Sequence, residues 1–226
     1  MRDARDASKS VAPASSDMLP QIAGSESGPL QPLGRIGEAT HVAEDWLRHA
    51  RESGHLFSLA VALTNAAGLR HNLRQPEAAL SHAHEAMVLS EENGFAQWRA
   101  IAQFFHGAAL TELGQLDRGV AELEESIAAI QARGGPFRRG RLTPLARCYS
   151  MMGRTDEAMR MLDEALAHIE RSGEKFWQAE MLRLKGEVLL VHDAEAIADA
   201  ELVFALHWRS LARRKPNGGS YAPHQA

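Results

Sequence analysis

His41, Asp45 and His49 stand at i, i+4 and i+8, so a helix would carry all three on one face, and adjacent pairs could hold a metal ion. Three ligands strung over two turns cannot converge on one ion unaided. A solvated helix face is the simpler expectation, and no metal ligand is assigned. His82 and His84 are two residues apart, on nearly opposite sides of a helix, and cannot chelate together. Cys148 is the single cysteine and could act as a nucleophile, but no neighbouring base in the sequence would activate it, and a packed structural thiol is expected. Glu122, Glu124 and Glu125 contain the makings of a carboxylate pair. On a helix such a run is expected to solvate the outer face. Arg138, Arg139 and Arg141, with Arg209, Arg213, Arg214 and Lys215 near the end, form two local basic patches. Neither phosphate-cradling glycine pattern, Gly-x-x-x-x-Gly-Lys-Ser/Thr or Gly-x-Gly-x-x-Gly, occurs. No catalytic residue and no cofactor is assigned.

The elements that would position these side chains come from a repeat. Leu113-Gly114-Gln115-Leu116-Asp117-Arg118-Gly119-Val120-Ala121-Glu122-Leu123 aligns with Met152-Gly153-Arg154-Thr155-Asp156-Glu157-Ala158-Met159-Arg160-Met161-Leu162. The stretches opening at Leu33 and Leu73 fall in the same register, a step of about 40 residues. Gly54, Gly94, Gly134 and Gly173 form a second series, and the small residues Ala67, Gly107, Ala146 and Gly186 a third. One single-residue deletion between Gly134 and Ala146, next to Gly135-Pro136, reconciles all three series. Within each unit the apolar spacing is helical: Ala79, Leu80, Ala83, Ala86 and Met87 recur by threes and fours, as do Val120, Leu123, Ile127 and Ile130. Each unit reads as helix A, a short turn, helix B and a glycine stop, where glycine adopts the left-handed capping conformation without a Cβ penalty. The small residues mark close approach of two helices. Phe57, Phe95, Trp98, Phe137, Phe176 and Trp177 open the A helices and are expected to wedge consecutive units together. A lone hairpin buries too little to offset its backbone ordering, so neighbours must supply the missing interface.

Residues 1–32, rich in Ser, Pro and Gly, are expected to be a disordered N-terminal segment. Residues 33–214 are the repeat domain, and 215–226 a disordered tail. Trp177 to Val191 reads as a good helix A, whereas the helix B after Asp193 is irregular in its apolar spacing. Composition narrows the function. With 25 basic against 29 acidic residues, a net charge of −4 disfavours a general nucleic-acid binder, which rests on excess Lys and Arg. The apolar runs fall far short of the roughly 20 residues that span a bilayer, the N-terminus lacks an apolar signal core, and the lone cysteine permits no internal disulfide; a cytoplasmic location is expected.

Small residues at fixed helix-A positions, with Leu/Met-Gly-x-x-(Asp/Glu)-x-(Ala/Gly) at the turn, resemble the tetratricopeptide repeat in a longer form of about 40 residues. The fold expected is therefore all-α: a tetratricopeptide-like α-solenoid of antiparallel helix pairs. Residues 109–129, 151–190 and 92–98 more specifically resemble the repeat region in the C-terminal part of bacterial class III adenylate and guanylate cyclases with an AAA-type ATPase module, and similar repeats of maltose-activator-like transcriptional regulators. The resemblance implies a noncatalytic scaffold for a protein or peptide ligand, a regulatory fragment of a larger signalling protein. The alternative is a repeat domain that senses a small-molecule effector and controls transcription. An enzyme has no motif behind it. Unpaired terminal helices offer a route to self-association. In such arrays the A helices line the concave side. Counting three before and one or four to five after each small residue names Thr64, His71, Asn72, Phe104, Thr111, Glu112, Thr143, Arg147, Ser150, Arg183 and Glu187 as the partner-binding surface.

Overall fold

The computed structural model describes residues 36–133, 142–172, 177–192 and 197–212. The expected disordered segments at 1–32 and 215–226, the deletion beside Gly135-Pro136, and the markers Gly134, Gly173, Phe137 and Phe176 lie outside these residues. The described residues form α-helices and no strand: α1 (Ile36–Ser53), α2 (Leu56–Asn72), α3 (Pro76–Glu92), α4 (Ala96–Glu112), α5 (Leu116–Ala132), α6 (Leu142–Met151), α7 (Thr155–Ser172), α8 (Gln178–His192) and α9 (Ile197–Ala212). The even-numbered helices are the A helices and the odd-numbered ones the B helices. Pro76 sits in the first turn of α3, where its missing N–H costs nothing, and Asp117, Asp156 and Glu157 complement the positive starts of α5 and α7.

The turns repeat one backbone solution. Arg74, Gly94, Gly114 and Gly153 have φ of 58°, 71°, 82° and 76°. In each case the next amide reaches back five residues: Gln75 N to Arg70 O at 3.0 Å, Phe95 N to Ser90 O at 2.8 Å, Gln115 N to Leu110 O at 2.9 Å and Arg154 N to Tyr149 O at 2.8 Å. These are Schellman closures, which satisfy carbonyls left over at the helix end. Glycine takes the left-handed position in three of the four. Arg74 takes it at a cost of about 1–2 kcal/mol, and its guanidinium contacts Glu112 at 3.1 Å.

Each helix packs on its sequence neighbour, and successive A helices also touch: α2 with α4, α4 with α6, and α6 with α8. No pair of B helices packs to a comparable degree among the described residues. Inner contacts closer than outer ones make the stack curve, with the A helices on its concave side. One core cluster runs from Ala67 through Phe104, Leu123 and Leu145 to Leu162 and Val188, crossing every unit boundary from α2 to α8. Phe57 meets Phe95 edge-on at 5.3 Å and Trp98 at 6.3 Å between ring centroids, wedging α2 against the start of α4. α9 is a continuous helix of 16 residues despite its irregular apolar spacing. Its inner face still supplies Ala200, Val203 and Phe204, the last lying against Gly186, while apolar residues on its outer side obscure the period.

The small-residue series marks the tightest helix approach. A Cβ on Gly107 would lie 2.9 Å from the Gly119 carbonyl oxygen and 3.1 Å from the Leu123 backbone nitrogen. At Gly186 a Cβ would meet only the edge of the Phe204 ring, at 2.7 Å. Backbone cannot yield as a ring can. Gly107→Ala is therefore expected to cost about 3 kcal/mol in overpacking, less the roughly 1 kcal/mol that alanine gains over glycine in a helix interior. Gly186→Ala should be close to neutral. Urea unfolding of both variants tests this, and equal costs would show that the α4–α5 approach is no tighter than its counterpart.

Candidate functional site

The concave positions separate into an enclosed set and an open set. Thr64 is fully buried and donates its hydroxyl to the Ala60 carbonyl at 2.7 Å. Phe104 is buried edge-on against Phe105, at 5.2 Å between centroids. Thr111 is buried with its hydroxyl on the Ala108 carbonyl, and Thr143 is buried too. These four do not offer an open surface. The A helices pack directly on one another, and a Cβ on Gly68 of α2 would lie 2.8 Å from the Phe105 ring of α4, so positions expected to face the groove are closed between helices.

The accessible remainder lies mainly toward the C-terminal ends of α2 and α4 and along α6 and α8. His71 and Asn72 close α2, Glu112 closes α4, Arg147 and Ser150 lie on α6, and Arg183 and Glu187 on α8. Glu112 sits 3.1 Å from His71 Nδ1 and 3.1 Å from Arg74 Nη1. Glu180 takes a two-pronged contact from Arg183, at 2.8 and 2.6 Å, and lies 3.9 Å from Arg147. Arg183 also pairs with Glu187. Burial by itself would raise the carboxyl of Glu112, but His71 and Arg74 outweigh it and hold the group below its ordinary 4.5. Burial likewise opposes ionisation of Glu180, and Arg183, Arg147 and Arg74 override it. Arg74 thus acts on carboxylates of both α4 and α8. The result is a strip whose charge alternates across four helices. Arg74 and Glu180 escape the concave-position count, and so do Met151, Leu190 and Val191. The last three occupy the same offsets as Ser150 and Glu112, at one end of the strip, and are well exposed. Carrying the offset through to every unit would have found these three.

The acidic run on α5 does more than solvate. Glu122 Oε2 lies 2.6 Å from His106 Nδ1, Glu125 accepts from Gln103 Nε2 at 2.7 Å, and Glu124 accepts from the Tyr149 hydroxyl at 2.6 Å. Three neighbouring glutamates therefore tie α5 back to α4 and forward to α6. The Arg154 guanidinium stacks 4.0 Å over the Tyr149 ring and pairs with Glu157. Burial, together with the Glu124 carboxylate, pushes the Tyr149 hydroxyl up to about 12. Cys148 is buried and its thiol is pushed up by burial, an environment that disfavours the reactive thiolate. His41 Nε2 contacts Asp45 at 3.2 Å, while His49 turns its ring to the Asp45 backbone carbonyl at 2.7 Å. Among the described residues no three His, Cys, Asp or Glu side chains gather as a metal set. His82 is held below its ordinary 6.5 by burial and by Arg70 and Arg51. His84 leans on His106, 6.0 Å between centroids. No helix among the described residues is long and apolar enough to cross a membrane.

No family model matches the chain, and no curated protein matches it. Among solved structures it is similar to the TPR-like repeats of a Podosopora anserina protein described as a kinesin light chain with nearly identical repeats. The identity is 18% and the TM-score 0.53, over 88% of this chain and 98% of that one. A point variant of the same protein gives 18% and 0.55, over 87% and 95%. At this identity the likeness concerns the fold: an all-α, TPR-like solenoid.

Two outcomes follow from the ion contacts. A carboxyl held low in the folded state contributes stability above its unfolded value and loses it as pH falls through the folded one. The stability gap between wild type and Glu112→Gln should therefore be widest above pH 4.5 and close as the pH drops well below it; a gap independent of pH would show that the cations do not hold Glu112. Tyr149→Phe should cost about 1.5–3 kcal/mol for a hydrogen bond to a charged acceptor. The companion Glu124→Gln should cost little more in that background, as a double-mutant cycle by urea unfolding would show.

Proposed function

We propose that this chain is a noncatalytic helical-repeat scaffold that binds an extended peptide, or an extended segment of another protein, along its concave strip. The carrying observation is the alternation of charge from Arg74, in the turn after α2, through Glu112, Arg147, Glu180, Arg183 and Glu187 on the A helices that follow, ending beside exposed Met151, Leu190 and Val191. A ligand strung over several helices must itself be long, and mixed charge on the strip selects mixed charge on the ligand. Because each charge on the strip already has a partner, a ligand exchanges ion contacts rather than supplying missing ones, which favours selectivity over raw affinity. The apolar end supplies an anchor for one aliphatic or aromatic residue. A metabolite would instead need enclosure on most sides, which a strip spread over four helices does not favour.

The likeness of residues 109–129 and 151–190 to cyclase-associated and maltose-activator-like repeats supports assigning the scaffold to the regulatory portion of a cyclase-like or ATPase-regulator signalling protein. An adjacent reading frame encoding a cyclase, ATPase or DNA-binding module would support that placement, and an adjacent frame of unrelated chemistry would count against it.

Selection from a random peptide library tests the binding surface. Selected peptides should carry both signs of charge and one large apolar residue. They should bind Arg147→Glu about tenfold more weakly, roughly 1.4 kcal/mol, with the helical circular dichroism unchanged. Peptides indifferent to that substitution, or thermal stabilisation by small metabolites with no peptide selected, would overturn the reading.

A further inference from the structure

The outward stripe of the last helix departs from that of every B helix aligned with it. Aligning the buried positions Ala79, Gly119, Ala158 and Ala200, and likewise buried Ala83, Leu123 and Leu162 with half-buried Phe204, fixes the register of α3, α5, α7 and α9. Four outward positions then compare directly. The first is Glu77, Asp117 and Asp156 in the earlier units and Ala198 in α9. The second is Ser81, Ala121 and Arg160, against Leu202. The third is His84, Glu124 and Asp163, against Ala205. The fourth is Glu85, Glu125 and Glu164, against Leu206. Leu202 is 63% exposed and Leu206 42%. These residues point away from Ala200 and Val203, by which α9 packs on its own unit, so the solenoid itself does not require them to be apolar. Trp208 and Ile197 are exposed as well, on the flank where the next unit would stack: Trp208 takes the position at which Ile127 and Leu166 pack into the core. These two residues lie on the stacking flank, apart from the Ala-Leu-Ala-Leu stripe, which no packing within the described residues explains.

We propose that this stripe is a self-association surface on which a second copy of the chain lays its own α9, antiparallel. The occupant follows from charge. α9 starts acidic, with Asp199 and Glu201 exposed, and carries the basic Arg209 near its other end. A parallel pairing would set each Asp199 beside its own counterpart, whereas an antiparallel one centred on position 204 sets the helix position of Asp199 in each copy beside that of Arg209 in the other, both within α9. The apolar register agrees: Leu202 and Leu206 are symmetric about position 204, and so are Asp199 and Arg209. A two-fold axis through that point satisfies both pairs twice with one patch, the signature of an isologous contact. Ala198 and Ala205 allow the two helices to approach closely. A single helix pair lies below the ~1,200 Å² of a standard interface, which places the contact among the weak, concentration-dependent ones.

Sedimentation equilibrium of the full chain tests this. The wild type should approach twice 24.7 kDa as concentration rises. Leu202→Arg combined with Leu206→Glu, which installs the residue types that α7 carries at Arg160 and Glu164, should remain at the monomer mass with unchanged helical circular dichroism. Trp208→Ser, altered on the stacking flank, should dimerise like the wild type. Ala205→Cys should give a covalent dimer with a short bis-maleimide, since the one native cysteine is buried; this readout does not depend on how the double variant folds. A wild type monomeric to its solubility limit, a double variant that still dimerises, a Trp208→Ser monomer, or an absence of cross-linking through Ala205→Cys would each overturn the proposal.

Discussion

Backbone contact between α4 and α5 at Gly107 and Gly119 is the constraint from which the geometry of the array proceeds. A carbonyl of one helix lies where the other helix's side chain would begin, so the pair can cross in one way only. Ala67, Ala146 and Gly186 hold the same place in the other units. Once the crossing is fixed, the left-handed turn that joins the helices has one conformation, and the next unit has one seat. Periodicity in sequence thus becomes translation in space, and the inward lean of the A helices follows from their mutual contacts.

The unit length, the helix pairs and the glycine stops were legible because each depends on spacing within a unit: threes and fours for the helices, a glycine past the last apolar residue for the cap. Accessibility of the concave positions was not. Thr64 and Phe104 lie at the offset that faces a groove, and only the distance between α2 and α4 decides whether that groove is open there. The roles of Glu122, Glu124 and Glu125 were hidden for the same reason. Their partners His106, Tyr149 and Gln103 lie on other helices, up to 25 residues away, and sequence gives a residue's face but not what meets it. Arg74 shows the limit of a motif: the turn geometry is kept where the glycine is lost, at an energetic cost, by a residue that also serves the strip.

The ionic contacts sort by what they join. Those on α5 span helix boundaries within the body of the stack and orient units relative to one another. Those on the concave strip join side chains at its mouth, where Arg147, Arg183 and Glu187 remain partly accessible and their pairings can be exchanged at small cost. The first kind resists change and the second invites it, which separates the frame of the array from its variable surface.

The nearest-neighbour packing of these helices also bears on how the chain acquires its shape. The helices pack on those adjacent or next but one along the polypeptide, so among the described residues no contact spans distant parts of the array and little loop-closure entropy must be surmounted before native contacts form. Folding can nucleate in any adjacent hairpins and zip outward. Packing by neighbours then gives the array a graded rather than all-or-none resistance to opening.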